Sequence, residues 1–326
     1  MKEFENCKID RIEFKNTRIF GHNIIVPANK DKGFNFPYIL FIPDEISNNT
    51  NLIIEGANAR SSASNINTGI QDVINESMNR KIIEWNSKTN YPILTPAFPR
   101  FNEEDGPIYT HMLSSQSLNY NKHGLERIDI QLINMINDAK YRLMMNDIFL
   151  DDKVILDGFS ASAKFVNRFS LLHPEKVKLI IAGGVSGTLI LPIKELNGEK
   201  LLFPVGCGYI NEITLNKINE FKKIKQFYYM GELDNNDPFE CDENGFVKYS
   251  QILNQDEANQ LYKYIGKKMI PDRWEKIQEL YIKLNVNVIF KTYEGYGHDP
   301  LPAKDIAIEL LQECILENNC NIKFTM

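Results

Sequence analysis

Short, unbroken apolar runs that stop at a turn residue recur along the chain, and they limit its fold more than any other feature. They are Leu52-Ile53-Ile54 ahead of Gly56, Val154-Ile155-Leu156 ahead of Gly158, Leu179-Ile180-Ile181 ahead of Gly183-Gly184, Phe227-Tyr228-Tyr229-Met230 ahead of Gly231, and Val286 to Tyr293. A strand with one wet face alternates polar and apolar residues, whereas a strand covered on both faces reads as a continuous apolar run. These runs therefore predict strands of a parallel sheet. Between them lie segments at helical spacing: Ile70, Val73 and Ile74 with the later pair Ile82-Ile83; Ile128, Leu132, Met135, Ile136, Ala139 and Leu143; and Ala303, Ile306, Ala307, Leu310, Leu311 and Cys314. Strand alternating with helix marks an α/β fold, a mostly parallel central sheet covered by helices on both faces. The front end differs. Ile9 to Pro27 and Tyr38 to Pro43 read as strands with no helix between them, an antiparallel edge.

Two regions break the alternation. Residues of about 185–225 carry glycine, proline and amphipathic pieces, and residues of about 238–284 form a mostly helical excursion. Both follow strands whose ends would face a site, so both are expected to form helical cap insertions there. Their Leu189, Leu191, Phe203, Tyr209, Tyr262 and Trp274 either line an apolar pocket or form the insertions' own core. No repeat, low-complexity segment or linker divides the sequence, and residues 1–326 are expected to form a single domain.

A chain of 326 residues can bury a large core without a metal or disulfide staple. Its five cysteines, Cys7, Cys207, Cys241, Cys314 and Cys320, are scattered and never form Cys-x-x-Cys, which argues against a disulfide framework or a zinc site. The net charge of -6 gives no basic footprint for nucleic acid. No window of about 18 apolar residues could span a membrane. The opening MKEFENCKID lacks the apolar stretch of a signal peptide, so the cytoplasm is the expected location.

The chemistry is concentrated in Val154 to Phe165, VILDGFSASAKF. A strand that reverses sharply into a helix strains its corner residue and crowds the positions two away, which must be small. Here the corner is Ser160 and the small neighbours are Gly158, Ala161, Ser162 and Ala163, while Phe165, Phe169 and Leu172 supply a helix face for the sheet. The corner side chain is pushed out above the sheet. The segment also reads as an ordinary Gly-Ser turn capping a helix.

In Gly158-Phe159-Ser160-Ala161-Ser162 the chain resembles the nucleophile elbow of the α/β-hydrolase superfamily, with Ser162 in place of the second glycine. The resemblance runs from Tyr38 to Glu317, and Tyr38 to Pro43 looks like the esterase and polyester-depolymerase branch. It implies a serine hydrolase, most simply of carboxylic esters, acting through an acyl-enzyme with no metal or organic cofactor. In that family an acid and then a histidine follow the serine along the chain. The matching residues are Asp234, after Phe227–Met230, and His298, after the strand centred on Val288-Ile289-Phe290. Asp237 is the alternative acid, but it directly precedes Pro238, which pushes its backbone toward an extended conformation. The implied oxyanion donors are the amide of Ala161 and, from Glu55-Gly56-Ala57-Asn58-Ala59 where the family usually has His-Gly, that of Ala57, with Asn58 second.

The other histidines have plainer readings. His173 precedes Pro174 at a helix end, His22 lies in the edge strands, and His111 and His123 sit in loops that could border a pocket. Glu240, Asp242, Asn244 and Gly245 imitate a calcium loop, but Gln251 stands where a bidentate glutamate would be needed. The expected partner is a small ester or acyl substrate; oligomeric state is not legible. A peptidase of the same fold and a non-catalytic ligand-binding member of it are the competing readings.

Overall fold

The computed structural model describes residues 4–14, 19–46, 50–58, 64–77, 85, 89–103, 106–108, 110–249 and 252–323. The strands are β1 (Lys8–Phe14), β2 (Ile19–Val26), β3 (Tyr38–Pro43), β4 (Ile53–Glu55), β5 (Ile93–Pro96), β6 (Phe101–Glu103) and β7 (Gly106–Ile108). They continue with β8 (Val154–Phe159), β9 (Val177–Gly183), β10 (Glu195–Leu196), β11 (Glu199–Lys200), β12 (Lys225–Gly231) and β13 (Val288–Tyr293). Nine of them form one sheet in the order β1-β2-β3-β5-β4-β8-β9-β12-β13, and β6–β7 and β10–β11 are separate hairpins. From β5 to β13 every pairing is parallel. The β1–β2, β2–β3 and β3–β5 pairings are antiparallel, as expected for the front end.

The described helices are α1 (Ile66–Ser77), α2 (Ser115–Asn119), α3 (Ile128–Met144), α4 (Ala161–Leu172), α5 (Leu215–Lys223), α6 (Gln255–Tyr264), α7 (Trp274–Lys283) and α8 (Lys304–Lys323). Ile82 and Ile83 of the first helical stripe lie outside the described residues. Successive strand residues serve opposite faces of the sheet. Ile53, Ile155, Leu179, Ile181, Phe227 and Tyr229 share a core with Ala307, Leu311 and Cys314 of α8. Ile54, Leu156, Ile180, Tyr228 and Met230 share the other core with Leu132 and Met135 of α3 and Phe165 and Phe169 of α4. This double coverage is why the runs read as continuously apolar. The last run is an exception. β13 pairs with β12 at the edge of the sheet, and Ile289 is 43% exposed.

All twelve residues of α4 are buried, whereas one apolar stripe alone would bury only one face. Its second face carries Lys164, Asn167 and Arg168, and the two excursions lie over it. The Asn167 amide donates to the Tyr228 and Tyr281 hydroxyls at 2.8 and 3.2 Å, and Arg168 donates to the Met112 carbonyl at 2.8 Å. Buried polar atoms cost free energy unless they are paired, so this helix depends on what covers it. The excursions are also tied to each other: the Leu202 N–H donates to the Gln260 side chain at 2.7 Å, and Gln260 donates to Glu199 at 2.8 Å. Leu189, Leu191, Phe203 and Trp274 are buried in the main core, while Tyr209 is 56% exposed. The four buried side chains are thus used in packing. Among the described residues no helix is long and apolar enough to cross a membrane.

Candidate active site

β8 ends at Phe159 and α4 begins at Ala161, so one residue, Ser160, makes the whole reversal. Its φ of 62° and ψ of -118° lie in a region that side-chain-bearing residues rarely occupy, a strain of about 1–3 kcal/mol that the surrounding fold must hold. One restraint is its N–H, which donates to the Gly183 carbonyl at 2.8 Å. Another is space. A Cβ on Gly158 would stand 2.6 Å from the Ser162 carbonyl oxygen and 2.8 Å from the Ala163 nitrogen.

The departure from the elbow pattern, Ser162, is accommodated from the facing loop. A Cβ on Gly56 would come within 2.5 Å of the Ser162 Cβ, so the glycine has moved to the partner loop. The Ser162 hydroxyl accepts from the Phe159 N–H and donates to the Phe159 carbonyl, both at 3.0 Å. The Asn58 side chain clamps the same turn: Nδ2 donates to Ser162 Oγ at 2.9 Å and to the Phe159 carbonyl at 2.5 Å, and Oδ1 accepts from the Ser162 N–H at 3.0 Å. The side chain of Asn58 is therefore engaged in holding the loop of Ala57 onto the first turn of α4. Among the described residues no carbonyl accepts the amide N–H of Ala57 or of Ala161.

The acid and the histidine come from the next strand ends. His298 Nδ1 lies 2.8 Å from Asp234 Oδ2, and Asp234 is 5% exposed. Asp234 Oδ1 accepts the Asn236 N–H at 2.9 Å, which fixes the carboxylate plane. The imidazole packs on the Phe159 ring at 4.6 Å between centroids. A Cβ on Gly184, which has a φ of 61°, would stand 2.7 Å from the ring's Cε1. Gly231 is equally confined, since a Cβ there would lie 2.2 Å from the carbonyl oxygens of Tyr296 and Gly297. The loops carrying Asp234 and His298 thus press on each other through glycine.

Asp237 lies elsewhere. It pairs with Arg273, whose side chain is fully buried and also donates to the Lys267 and Ser186 carbonyls at 2.7 and 3.3 Å. Glu232 is exposed and accepts the Gly295 N–H at 3.1 Å. His111 and His173 are buried against the Phe98 carbonyl and Asp129, each at 2.9 Å. Asp242 folds a local turn by accepting the Asn244 and Phe246 N–H groups, each at 2.9 Å. No cluster of three or more His, Cys, Asp or Glu among the described residues could hold a metal ion.

Sequence reasoning missed two residues here. Lys164, one helical turn beyond the serine, is 1% exposed, and its Nζ donates to the Ser160 carbonyl at 3.2 Å and to Ser186 Oγ at 3.0 Å. Burial, reinforced by Arg168, pushes its pKa down to about 7. The one available signal was a lysine at the i+4 position of a helix that had to be buried. The second is Asn236, whose Nδ2 lies 3.0 Å from His298 Nε2 and 3.4 Å from Ser160 Oγ. Nothing in its asparagine-rich loop set it apart.

No family model and no curated protein matches this chain. Solved structures do. A poly(3-hydroxybutyrate) depolymerase from Bordetella parapertussis is similar at a TM-score of 0.55 and 14% identity, over 89% of this chain and 88% of that one. Poly(aspartic acid) hydrolase-1 from Sphingomonas sp. KT-1 gives a TM-score of 0.50 at 12% identity, over 90% and 98% of the two chains. An S-formylglutathione hydrolase from Agrobacterium tumefaciens gives 0.50 at 9% identity, over 94% and 97%. The fold of this chain is theirs, the α/β-hydrolase fold.

Proposed function

We propose that this chain, an α/β-hydrolase by fold, is a serine hydrolase of carboxylic esters that works through an acyl-enzyme. The observation that carries the reading is the arrival of Ser160, Asp234 and His298 from three separate strand ends at one place, with the serine in a strained backbone conformation. In the reaction Ser160 Oγ attacks the acyl carbon while its proton passes to Nε2 of His298. Asp234 accepts from Nδ1–H, holds that tautomer and stabilises the imidazolium that forms. The developing oxyanion takes the amides of Ala57 and Ala161, placed by the Asn58 clamp. Collapse expels the alcohol, protonated by His298, and water then repeats the sequence on the acyl-serine.

Excursions 185–225 and 238–284 serve in this reading as a cap beside the elbow, since Ser186, at the inner end of the first, reaches Lys164, and Asn236, just ahead of the second, reaches Ser160. Leu233, Tyr296 and Leu301, at 62%, 44% and 45% exposure, leave apolar surface along the loops of Asp234 and His298 for the substrate. The test is labelling with a fluorophosphonate followed by mass spectrometry of the modified peptide. Wild type is expected to carry the label on Ser160, and Ser160→Ala is expected to carry none and to lose hydrolysis of short p-nitrophenyl esters with an unchanged melting temperature. Wild-type turnover in Ser160→Ala would overturn the reading.

A further inference from the structure

Ser160 can be deprotonated only if the lone pair of His298 is available to its hydroxyl. With Nδ1 facing the Asp234 carboxylate, the neutral ring carries its proton there and its lone pair on Nε2. That lone pair is already engaged. The Asn236 amide donates to Nε2 at 3.0 Å, and the same nitrogen stands 3.4 Å from Ser160 Oγ, between base and nucleophile. The backbone of Asn236 is held from both sides: its N–H donates to Asp234 at 2.9 Å, and its carbonyl accepts from Ser186 Oγ at 3.1 Å. Lys164 in turn donates to that Ser186 hydroxyl at 3.0 Å. The side chain, by contrast, is exposed and can rotate away without disturbing these bonds.

We propose that Asn236 is a positioning residue that parks the base: in the resting enzyme its amide occupies the lone pair of His298, and it must swing out before Ser160 can react. The proposal rests on the hydrolase reading and has a quantitative signature. A donor to Nε2 stabilises only the neutral, blocked ring, so it lowers the fraction of neutral ring that is free to act. Removing the donor must therefore raise the high-pH rate, while leaving the low-pH rate unchanged.

The experiment compares wild type with Asn236→Ala. It follows the second-order rate of fluorophosphonate labelling against pH, and the nitrogen NMR shift of His298 Nε2 at high pH. For one net hydrogen bond the expected high-pH gain is about five- to tenfold, with a changed Nε2 shift. An unchanged Nε2 shift and rate would overturn the proposal. So would a lower rate at high pH in Asn236→Ala, because the amide would then be assisting the reaction. Failure of wild type to label at Ser160 would sink the hydrolase reading instead, and the Nε2 shift would still decide whether Asn236 holds the lone pair.

Discussion

Lys164→Met probes the polar floor beneath the site. The lysine is 1% exposed, and Arg168 and Arg273 add to the effect of burial while Asp234 and Asp237 oppose it, leaving a pKa of about 7 against an ordinary 10.5. Between those values the unfolded chain binds a proton that the folded chain does not. Stability must therefore rise with pH across that window, by up to about 1.4 kcal/mol per pH unit, and level off below it. Methionine removes the titration while filling similar space. It also leaves the Ser160 carbonyl without its donor, a cost of about 1–3 kcal/mol that is the same at every pH. The measurement is urea unfolding followed by the fluorescence of buried Trp85 and Trp274. Between about pH 7.5 and about pH 9.5, wild type should gain about 2 kcal/mol relative to Lys164→Met. If the difference between the two proteins were the same at both pH values, the lysine would be charged in the fold and the account of α4 would be wrong.

Asp234→Asn leaves His298 facing a donor in the wrong tautomer and is expected to reduce turnover by about ten-thousandfold, read as kcat on a p-nitrophenyl ester. Asp237→Ala should instead cost about 3–5 kcal/mol of stability by leaving Arg273 buried and unpaired, with the shape of the pH–rate profile retained; the opposite division of losses would transfer the acid's role. Gly56→Ala drives a methyl to 2.5 Å from the Ser162 Cβ and should cost about 1–3 kcal/mol in chemical denaturation. Adding Ser162→Gly removes the clash and should recover part of that loss, and purely additive losses would show that the two positions do not share the space.

The parallel sheet, its antiparallel front edge, the helical stripes at 128–143 and 303–314 and the tight strand-to-helix turn at Ser160 were legible in the sequence, because each follows from local spacing of apolar and small residues. Chain order together with a family resemblance also placed Asp234 and His298 after their strands. What spacing could not show was which residues meet. The proline after Asp237 is all that separates Asp234 from Asp237 in the sequence; in the structure Arg273, buried from a distant helix, takes Asp237, while Asp234 faces His298. Ser162 looked like a flaw in the elbow until the facing loop supplied Gly56 to make room for it. The sequence predicted an apolar stripe on α4, yet its polar face is buried too, since the excursions that cover it come from far along the chain. Asn236 touches both Ser160 and His298 through an amide that any surface loop could carry. Local periodicity determines strands, helices and the turn between them, whereas the partner of a buried charge or an exposed amide is set by three-dimensional closure, which no window of sequence contains.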